Sequence, residues 1–185
     1  MADAKKTFDI EIFGSNLLRT PSSVVKKFDK KLAKLADKML KTMYSENGVG
    51  LAAPQIGENI RLMVLDTEWS PDDEENFRRP MVFVNPVIVF KEGEMESYEG
   101  CLSFPGVFFN VTRAKKIVYK FQDLTGKEHR SEAQDDLFCR AIQHEIDHLD
   151  GRLFVDIAND KAIAREELEK HNLGGVDSKP PIILG

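Results

Sequence analysis

The fold of this chain is decided by the stretch Gln143-His144-Glu145-Ile146-Asp147-His148, which contains the pattern H-E-x-x-H. On an α-helix each residue turns by about 100°, so residues i and i+4 lie above one another on one face. His144 and His148 can therefore bind one metal ion together, while Glu145 lies beside them, within reach of a proton on metal-bound water. The alternative is a polar helix that carries two histidines by chance.

The residues around this stretch indicate a buried helix. Positions recur at steps of three and four residues, which is the period of one helix face. Asp135 or Asp136 can cap its start, and Gly151 follows its end. Most of one side is apolar, so we expect a core helix that carries its ligands into the interior. The recurring positions are Leu137, Phe138, Ala141, Ile142, Glu145, His148 and Leu149.

The size and composition of the chain favour one folded domain over residues 1–185. Its 185 residues can form a sizeable core, and the shares of hydrophobic residues (42%) and charged residues (31%) are typical of globular proteins. The formal net charge of -5 argues against nucleic-acid binding as the main activity. Lysines between residues 26 and 41 fall on the polar side of a predicted helix, where a solvated face is the simpler interpretation.

Two features of the sequence indicate the cellular compartment of the protein. The first nine residues contain no signal-peptide hydrophobic region, and no apolar run approaches the length of a membrane span. The two cysteines are Cys101 and Cys139, and without an export signal we expect reduced thiols or a metal ligand instead of a disulfide. Cys139 lies about 140° round the helix from His144, so we interpret it as a core residue. We therefore expect a cytoplasmic protein without a membrane partner.

An amphipathic helix is predicted near the N-terminus. Pro21-Ser22-Ser23 can open it, with a serine as the cap, and Asn47-Gly48 can end it. The apolar side chains between them recur with helical spacing, so one face of this helix should pack on the core. These side chains are Val25, Phe28, Leu32, Leu35, Met39 and Met43.

Most of the remaining sequence predicts antiparallel strands. Alternation is clearest at Lys116–Asp123, and a turn should return the chain as the partner strand Lys127–Ala133. Pro86 within Met81–Phe90 suggests an edge or a bulge, and Glu94–Tyr98 can extend that strand as a hairpin. The further predicted segments are a strand at Ile60–Asp66, a surface loop at Glu68–Arg79, an extended exit at Gly151–Asp156 and a surface helix at Asn159–Lys170.

These elements together predict an α+β fold in a single domain. Antiparallel strands would pack around the central metal-binding helix, with the N-terminal amphipathic helix and a C-terminal helix outside them. We expect the catalytic core to span residues 8–156 and residues 157–185 to form the C-terminal helix and tail.

A catalytic metal site needs a third protein ligand besides the two histidines. In zinc proteases with H-E-x-x-H this ligand lies downstream, where the chain offers Glu166, Glu169 and His171. Upstream, Cys101 lies between glycine and the run Leu-Ser-Phe-Pro, although such a cysteine is more often a small buried side chain. The residues alone leave both possibilities open.

Three motifs, in this order, resemble the peptide deformylase family. They are Gly48-Val49-Gly50-Leu51-Ala52-Ala53-Pro54-Gln55, Glu99-Gly100-Cys101-Leu102-Ser103 and Gln143-His144-Glu145-Ile146-Asp147-His148-Leu149-Asp150-Gly151. Three motifs together are highly specific, and the resemblance also extends over the N-terminal helix and the intervening strands. It implies that Cys101, His144 and His148 bind the metal. The family works best with Fe2+, and many members accept Zn2+, Ni2+ or Co2+.

The reaction that this resemblance implies is hydrolysis of the N-formyl group from the initiator methionine of new bacterial or organellar proteins, with release of formate. In this resemblance Glu145 transfers protons, while the Gln55 amide and the Leu102 backbone N–H bind the oxyanion. The implied partner is an N-formylmethionyl nascent peptide, and the ribosome near its exit tunnel is a second expected partner.

The resemblance also implies where the peptide binds. The peptide would lie extended beside the backbones of Val49 and Gly50 and of Gly100 to Leu102, as an added strand. The methionine side chain would enter an apolar pocket with a carboxylate at its edge. The matching pocket positions are Val49, Leu137 and Ala141, and the edge position is Glu99.

The sequence departs from the family pattern in two places, and two other functions are possible interpretations. Asp135-Asp136 stand where the family often has glycine, and residues from Ile157 onward match no family pattern that can be carried over residue by residue. One rival is a zinc metalloprotease with a downstream ligand, and the other is a non-catalytic protein that binds formylated peptides or metal. The presence of Gln55, Cys101 and Glu145 argues against the second rival, because an inactive relic should lose its chemical groups first.

Overall fold

The computed structural model describes residues 7–72, 77–164 and 183–184 of the chain. These residues form the expected α+β architecture, with two α-helices and two sheets. Helix α1 spans Lys30–Ser45 and helix α2 spans Leu137–Leu149. The strands are β1 Gly50–Ala52, β2 Leu62–Leu65, β3 Met81–Glu92, β4 Met95–Cys101, β5 Phe104–Arg113, β6 Lys116–Gln122, β7 Glu128–Gln134, β8 Ile163–Ala164 and β9 Ile183–Leu184.

The strands form two sheets. One sheet has the order β1-β2-β3-β6-β7, and each neighbouring pair is antiparallel. The other has the order β8-β5-β4-β9, in which β5 is antiparallel to β4 and β8, and β9 runs parallel to β4. Strand β9 also lies against β1 and α2. The end of β4, the strand β1 and the helix α2 therefore meet around one cleft.

The five-stranded sheet is covered by a helix on each face. Met63 and Leu65 of β2 belong to the cluster that packs against α2, whereas Leu62 and Val64 belong to the cluster under α1. Successive side chains of a strand point to opposite faces, so this uninterrupted apolar run requires cover on both. All four side chains are fully buried, and each contributes about 1.5–3 kcal/mol relative to an exposed position.

Helix α2 begins and ends where the sequence predicts. Asp136 caps it, because its Oδ1 accepts a hydrogen bond from the Cys139 backbone N–H at 2.6 Å. After the helix, Gly151 has a φ of +71°, and a Cβ there would lie 2.7 Å from the carbonyl oxygen of Arg19. Only glycine fits both the left-handed backbone and this close approach, so the helix ends there.

Helix α1 begins at Lys30, so the predicted start at Pro21-Ser22-Ser23 is wrong. Asp29 is the cap, and its side chain accepts hydrogen bonds from two backbone N–H groups at 2.8 and 3.0 Å. Residues 21–28 are not helical. Asn85 binds the backbone of Val25 twice: its Oδ1 accepts from the N–H at 2.8 Å, and its Nδ2 donates to the carbonyl at 2.9 Å. These tertiary hydrogen bonds outweigh the local serine cap.

The strand predictions are confirmed for one hairpin and corrected for another. Strands β6 and β7 pair along their whole length, as predicted, and the register of β3 shifts between Val84 and Val87, around Pro86. The proposed hairpin extension of β3 by Glu94–Tyr98 is wrong, since β4 pairs with β5 in the other sheet. Gly93, with a φ of +65°, turns the chain between the two sheets.

The C-terminal predictions are partly wrong. The extended exit contains a 3₁₀ turn at Phe154–Asp156. Ile163–Ala164, within the predicted helix Asn159–Lys170, form β8 on the edge of β5, so that helix is wrong there. Residues 165–170 of the same prediction lie outside the described residues. In the parts of the chain that the structure describes, no helix is both long and apolar enough to cross a bilayer.

Candidate active site

Helix α2 presents two histidines to the cleft. His144 and His148 lie one helical turn apart, with ring centroids separated by 5.1 Å and an interplanar angle of 69°. Each is only 1% exposed. Burying an imidazole is unfavourable unless its nitrogens bind other groups, so this pair needs partners in the interior.

Cys101 reaches the histidines from the end of β4. Its Sγ lies 3.3 Å from His148 Nε2. The register of β4 with β5 shifts between Gly100 and Cys101, and such a bulge re-aims the side chain that follows it. The ligand atoms of Cys101, His144 and His148 all lie within 4.8 Å of one another. One thiolate and two imidazoles at this spacing fit a single metal ion with a fourth position left for chemistry.

The other residues that the sequence offered as metal ligands are Cys139 and three downstream residues. Cys139 is fully buried in the core, with its Sγ 3.7 Å from the Ala114 carbonyl and 3.6 Å from the Lys115 carbonyl. Burial raises the pKa of this thiol, so it stays protonated and acts as the core residue that the sequence predicts. The downstream candidates Glu166, Glu169 and His171 lie outside the described residues.

A buried ion network fixes the orientation of His144. Its Nδ1 lies 2.9 Å from Glu99 Oε2 and donates to that carboxylate, so Nε2 is directed to the metal site. Arg113 holds Glu99 through Nε at 2.9 Å and Nη2 at 2.8 Å, and its Nη1 binds Asp147. Burial alone would raise the pKa of Glu99, but Arg113 and His144 hold it down at about 2. Glu99 is therefore a charged support for a metal ligand.

We expect Glu99→Gln to weaken metal binding by about 10- to 100-fold, because a neutral amide orients His144 less firmly than a carboxylate does. The variant also leaves the Arg113 charge without its main partner, which should lower the free energy of unfolding by about 3–5 kcal/mol. Competition with a chelator measures the first effect, and thermal unfolding measures the second.

Glu128→Gln is the matched control, since that exposed carboxylate pairs with Lys120 at 3.6 Å on the surface. The control should change neither quantity appreciably. Unaltered metal affinity in a folded Glu99→Gln protein would contradict the supporting role of this carboxylate.

Gln55 lies in a 3₁₀ turn directly after β1, with its side chain fully buried. The Ala52 backbone N–H donates to Gln55 Oε1 at 2.9 Å, which fixes the oxygen end of the amide. Gln55 Nε2 then points toward the metal site, 3.7 Å from Cys101 Sγ and 3.2 Å from Ser103 Oγ. The turn thus presents an amide N–H donor beside the thiol ligand.

Glu145 of α2 lies against Gly50 of β1. The Glu145 carboxylate is fully buried, and a Cβ on Gly50 would lie 2.4 Å from its Oε1. Gly48 lies similarly close to Leu102, where a Cβ would be 2.9 Å from Cδ1. A side chain at Gly48 or Gly50 would therefore displace Leu102 or the Glu145 carboxylate from its present position.

The residues expected around the peptide lie in one apolar cluster beside α2 and along the end of β4. Val49, Ala141 and Leu137 belong to one apolar cluster between α2 and the five-stranded sheet. A cavity of about 250 Å³ opens beside the end of β4. Its lining residues are Glu46, Gly100, Cys101, Leu102, Phe104, Pro105, Gly106, Val107 and Phe108.

Sequence reasoning missed Arg113, Asp147 and Ser103. Asp147 lies three residues after His144 within the quoted stretch, so its position on the helix is a signal that could have been used. Arg113 ends β5 and carries no local pattern, and only the fold shows that it is 5% exposed beside Glu99. A buried arginine bound to two carboxylates is visible in the structure alone.

Comparisons with known proteins agree with this geometry. The family profile described as Polypeptide deformylase matches residues 7–163. The peptide deformylase of Synechococcus sp. (strain RCC307) is 42% identical over 172 residues, which cover 92% of this chain and 83% of that protein. The peptide deformylase of Dictyoglomus thermophilum is 44% identical over 159 residues, which cover 86% of this chain and 97% of that protein.

Solved structures give the same result. The crystal structure of peptide deformylase from Thermotoga maritima matches with a TM-score of 0.75 at 36% identity, and covers 83% of this chain and 99% of that one. A peptide deformylase from Synechococcus elongatus, in complex with actinonin, matches with a TM-score of 0.75 at 36% identity. That match covers 95% of this chain and 90% of the other.

Proposed function

This chain belongs to the polypeptide deformylase family, and from that premise we propose which of its residues carry out the reaction. It is a metal-dependent hydrolase that removes the N-formyl group from newly synthesised proteins. The observation that carries the proposal is the convergence of Cys101, His144 and His148, whose ligand atoms lie within 4.8 Å of one another.

The proposed resident metal is Fe2+, with Zn2+, Ni2+ or Co2+ as substitutes. A bound divalent ion supplies a Lewis acid and lowers the pKa of water toward neutrality. One thiolate and two imidazoles suit soft and borderline metals, which supports this group of ions over Mg2+ or Ca2+. Cys101 would hold the metal from β4, while His144 and His148 would hold it from α2.

Glu145 is the proposed proton-transfer residue. It follows His144 directly on α2, and its fully buried carboxylate lies against Gly50, where a Cβ would be 2.4 Å from Oε1. In this position the carboxylate would take a proton from the attacking water and deliver it to the leaving amine. The packing on Gly50 supports this role, because it holds the carboxylate in one place.

Gln55 and Leu102 are the proposed donors to the oxyanion. The amide of Gln55 is oriented by the Ala52 N–H, so that its Nε2 faces Cys101 at 3.7 Å. Leu102 follows Cys101 in the turn between β4 and β5, and its backbone N–H is the second donor. Donors fixed before the reaction stabilise developing charge without a cost of reorganisation.

The peptide is proposed to bind as an added strand in the cleft. Gly100 and the following residues of β4 would pair with its backbone on one side, and Val49 and Gly50 would face it on the other. Val49, Leu137 and Ala141 would contact the methionine side chain. Glu99 is proposed at the edge of this pocket, and its hydrogen bonds with Arg113 and His144 support a second role in orienting a metal ligand.

The partners follow from the reaction. Formylated nascent peptides are the substrates that a deformylase implies. We propose that the protein works in the cytoplasm of a bacterial-type cell, near the ribosomal exit tunnel where these peptides emerge. The first experiment is an assay of formate released from formyl-Met-Ala by the iron-loaded protein.

A further inference from the structure

Strand β9 occupies the exposed edge of β4 beside the metal ligands. Ile183 pairs with Gly100 and Leu184 pairs with Cys101, in parallel. Cys101 is thus a metal ligand by its side chain and a strand partner by its backbone. The other edge of β4 is taken by β5, so β9 fills the only remaining edge of this strand in the described sheet.

The surroundings of β9 place it inside the cleft. The strand lies against β1 and against α2 as well as β4. β1 begins at Gly50, whose missing side chain makes room for Glu145, and α2 carries the two histidines. Main-chain atoms of β9 therefore lie among the elements that hold the metal ligands and the proton-transfer residue.

The proposed peptide site and β9 use the same backbone groups. A strand edge has one row of N–H and C=O groups, and it can pair with one added strand at a time. An added strand is recognised mainly through its main chain, so different sequences can take the same place. A formylated peptide paired with Gly100 and Cys101 would therefore have to displace Ile183 and Leu184.

We propose that residues 183–184 are an intramolecular competitor of the formylated peptide, so that the protein alternates between a closed form with β9 in the cleft and an open form that binds substrate. The proposal rests on the proposed function, because it takes the peptide site to be the edge of β4. Since β9 belongs to the same chain, its competition does not weaken on dilution. Since the pairing described for β9 spans two residues, a peptide at sufficient concentration displaces it.

The test is a double substitution, Ile183→Pro with Leu184→Pro, in the full-length metal-loaded protein. Proline removes the backbone N–H and fixes φ, so neither residue can pair as before. Apparent affinity is lowered by the fraction of protein in the closed form, so opening the cleft should lower KM for formyl-Met-Ala by roughly threefold or more with kcat unchanged.

The matched control is Ile163→Pro with Ala164→Pro. These residues form β8, an equally short strand on the opposite edge of the same sheet, paired with Val107 and Phe108. The control should leave KM unchanged. A synthetic peptide Pro-Pro-Ile-Ile-Leu-Gly, the sequence of residues 180–185, should inhibit the Ile183→Pro/Leu184→Pro protein competitively.

Hydrogen exchange reports on β9 without relying on turnover. The amides of residues 183–184 should be protected in the parent protein, and saturating Met-Ala-Ser peptide should remove that protection. Protection that persists with the peptide, or an unchanged KM in the Ile183→Pro/Leu184→Pro protein, would overturn the proposal. Failure of the proposed function would appear differently, as absence of formate from the parent and both variants.

Discussion

Glu145→Gln is expected to retain its metal and to lose about a hundredfold or more of kcat/KM for deformylation. Glutamine keeps the volume of the side chain, so the packing of α2 against Gly50 should be unchanged. The group of ligand atoms comprises one sulfur and two imidazole nitrogens from Cys101, His144 and His148. The amide cannot accept and deliver a proton as the carboxylate does, so the chemical step fails while the metal stays bound.

Metal analysis and formate release, measured on the same preparation, separate these two effects. Glu132→Gln is the matched control, because this exposed carboxylate pairs with Lys116 at 3.3 Å on the strand hairpin. It should keep both metal and activity. A Glu145→Gln protein that is folded but has lost its metal would show that this carboxylate is a ligand or a support for one.

Cys101→Ser is expected to weaken metal binding by more than about a hundredfold, which exceeds the effect of removing a residue that only supports a ligand. The thiolate is the ligand form of cysteine, whereas a serine hydroxyl stays neutral at working pH. Cys101 is 2% exposed and its Sγ lies 3.3 Å from His148 Nε2, so the substitution removes the sulfur atom from the group of metal ligands. Deformylation should fall with the metal content.

Cys139→Ser provides the matched control, because it changes the other cysteine of the chain, which lies in the core and contacts backbone carbonyls. Its metal content should equal that of the parent protein. Full metal content in Cys101→Ser would contradict the assigned ligand set and would favour the zinc-protease arrangement, in which the third ligand lies downstream.

The site could be predicted from the sequence where its chemistry is local. His144 and His148 are one turn apart on a helix whose cap and end, Asp136 and Gly151, are also local signals, and all four agree with the structure. Cys101 lies far from them along the chain, and its role followed from the resemblance of three motifs. A metal ligand on a different strand or helix cannot be recognised from the helical spacing of the other ligands.

Features that depend on contacts between distant segments could not be predicted. Helix α1 begins at Lys30 and not at Pro21 because Asn85 binds the backbone of Val25. These two residues are 60 positions apart in the sequence, so no local propensity predicts their contact. Strand β4 pairs with β5 in a second sheet and not with β3. This pairing of β4 with β5 brings Arg113 into contact with Glu99. Such choices are made by the packing of the whole fold.

The most direct test of the central claim compares formyl-Met-Ala with acetyl-Met-Ala on the iron-loaded protein. Gln55 and Leu102 are proposed to leave room for one oxyanion and a hydrogen, so the extra methyl of an acetyl group should lower kcat/KM by roughly a hundredfold. We expect formate and free Met-Ala as the products of the first substrate. Equal turnover of acetyl-Met-Ala, or cleavage of the Met-Ala bond with the formyl group intact, would contradict the deformylase account.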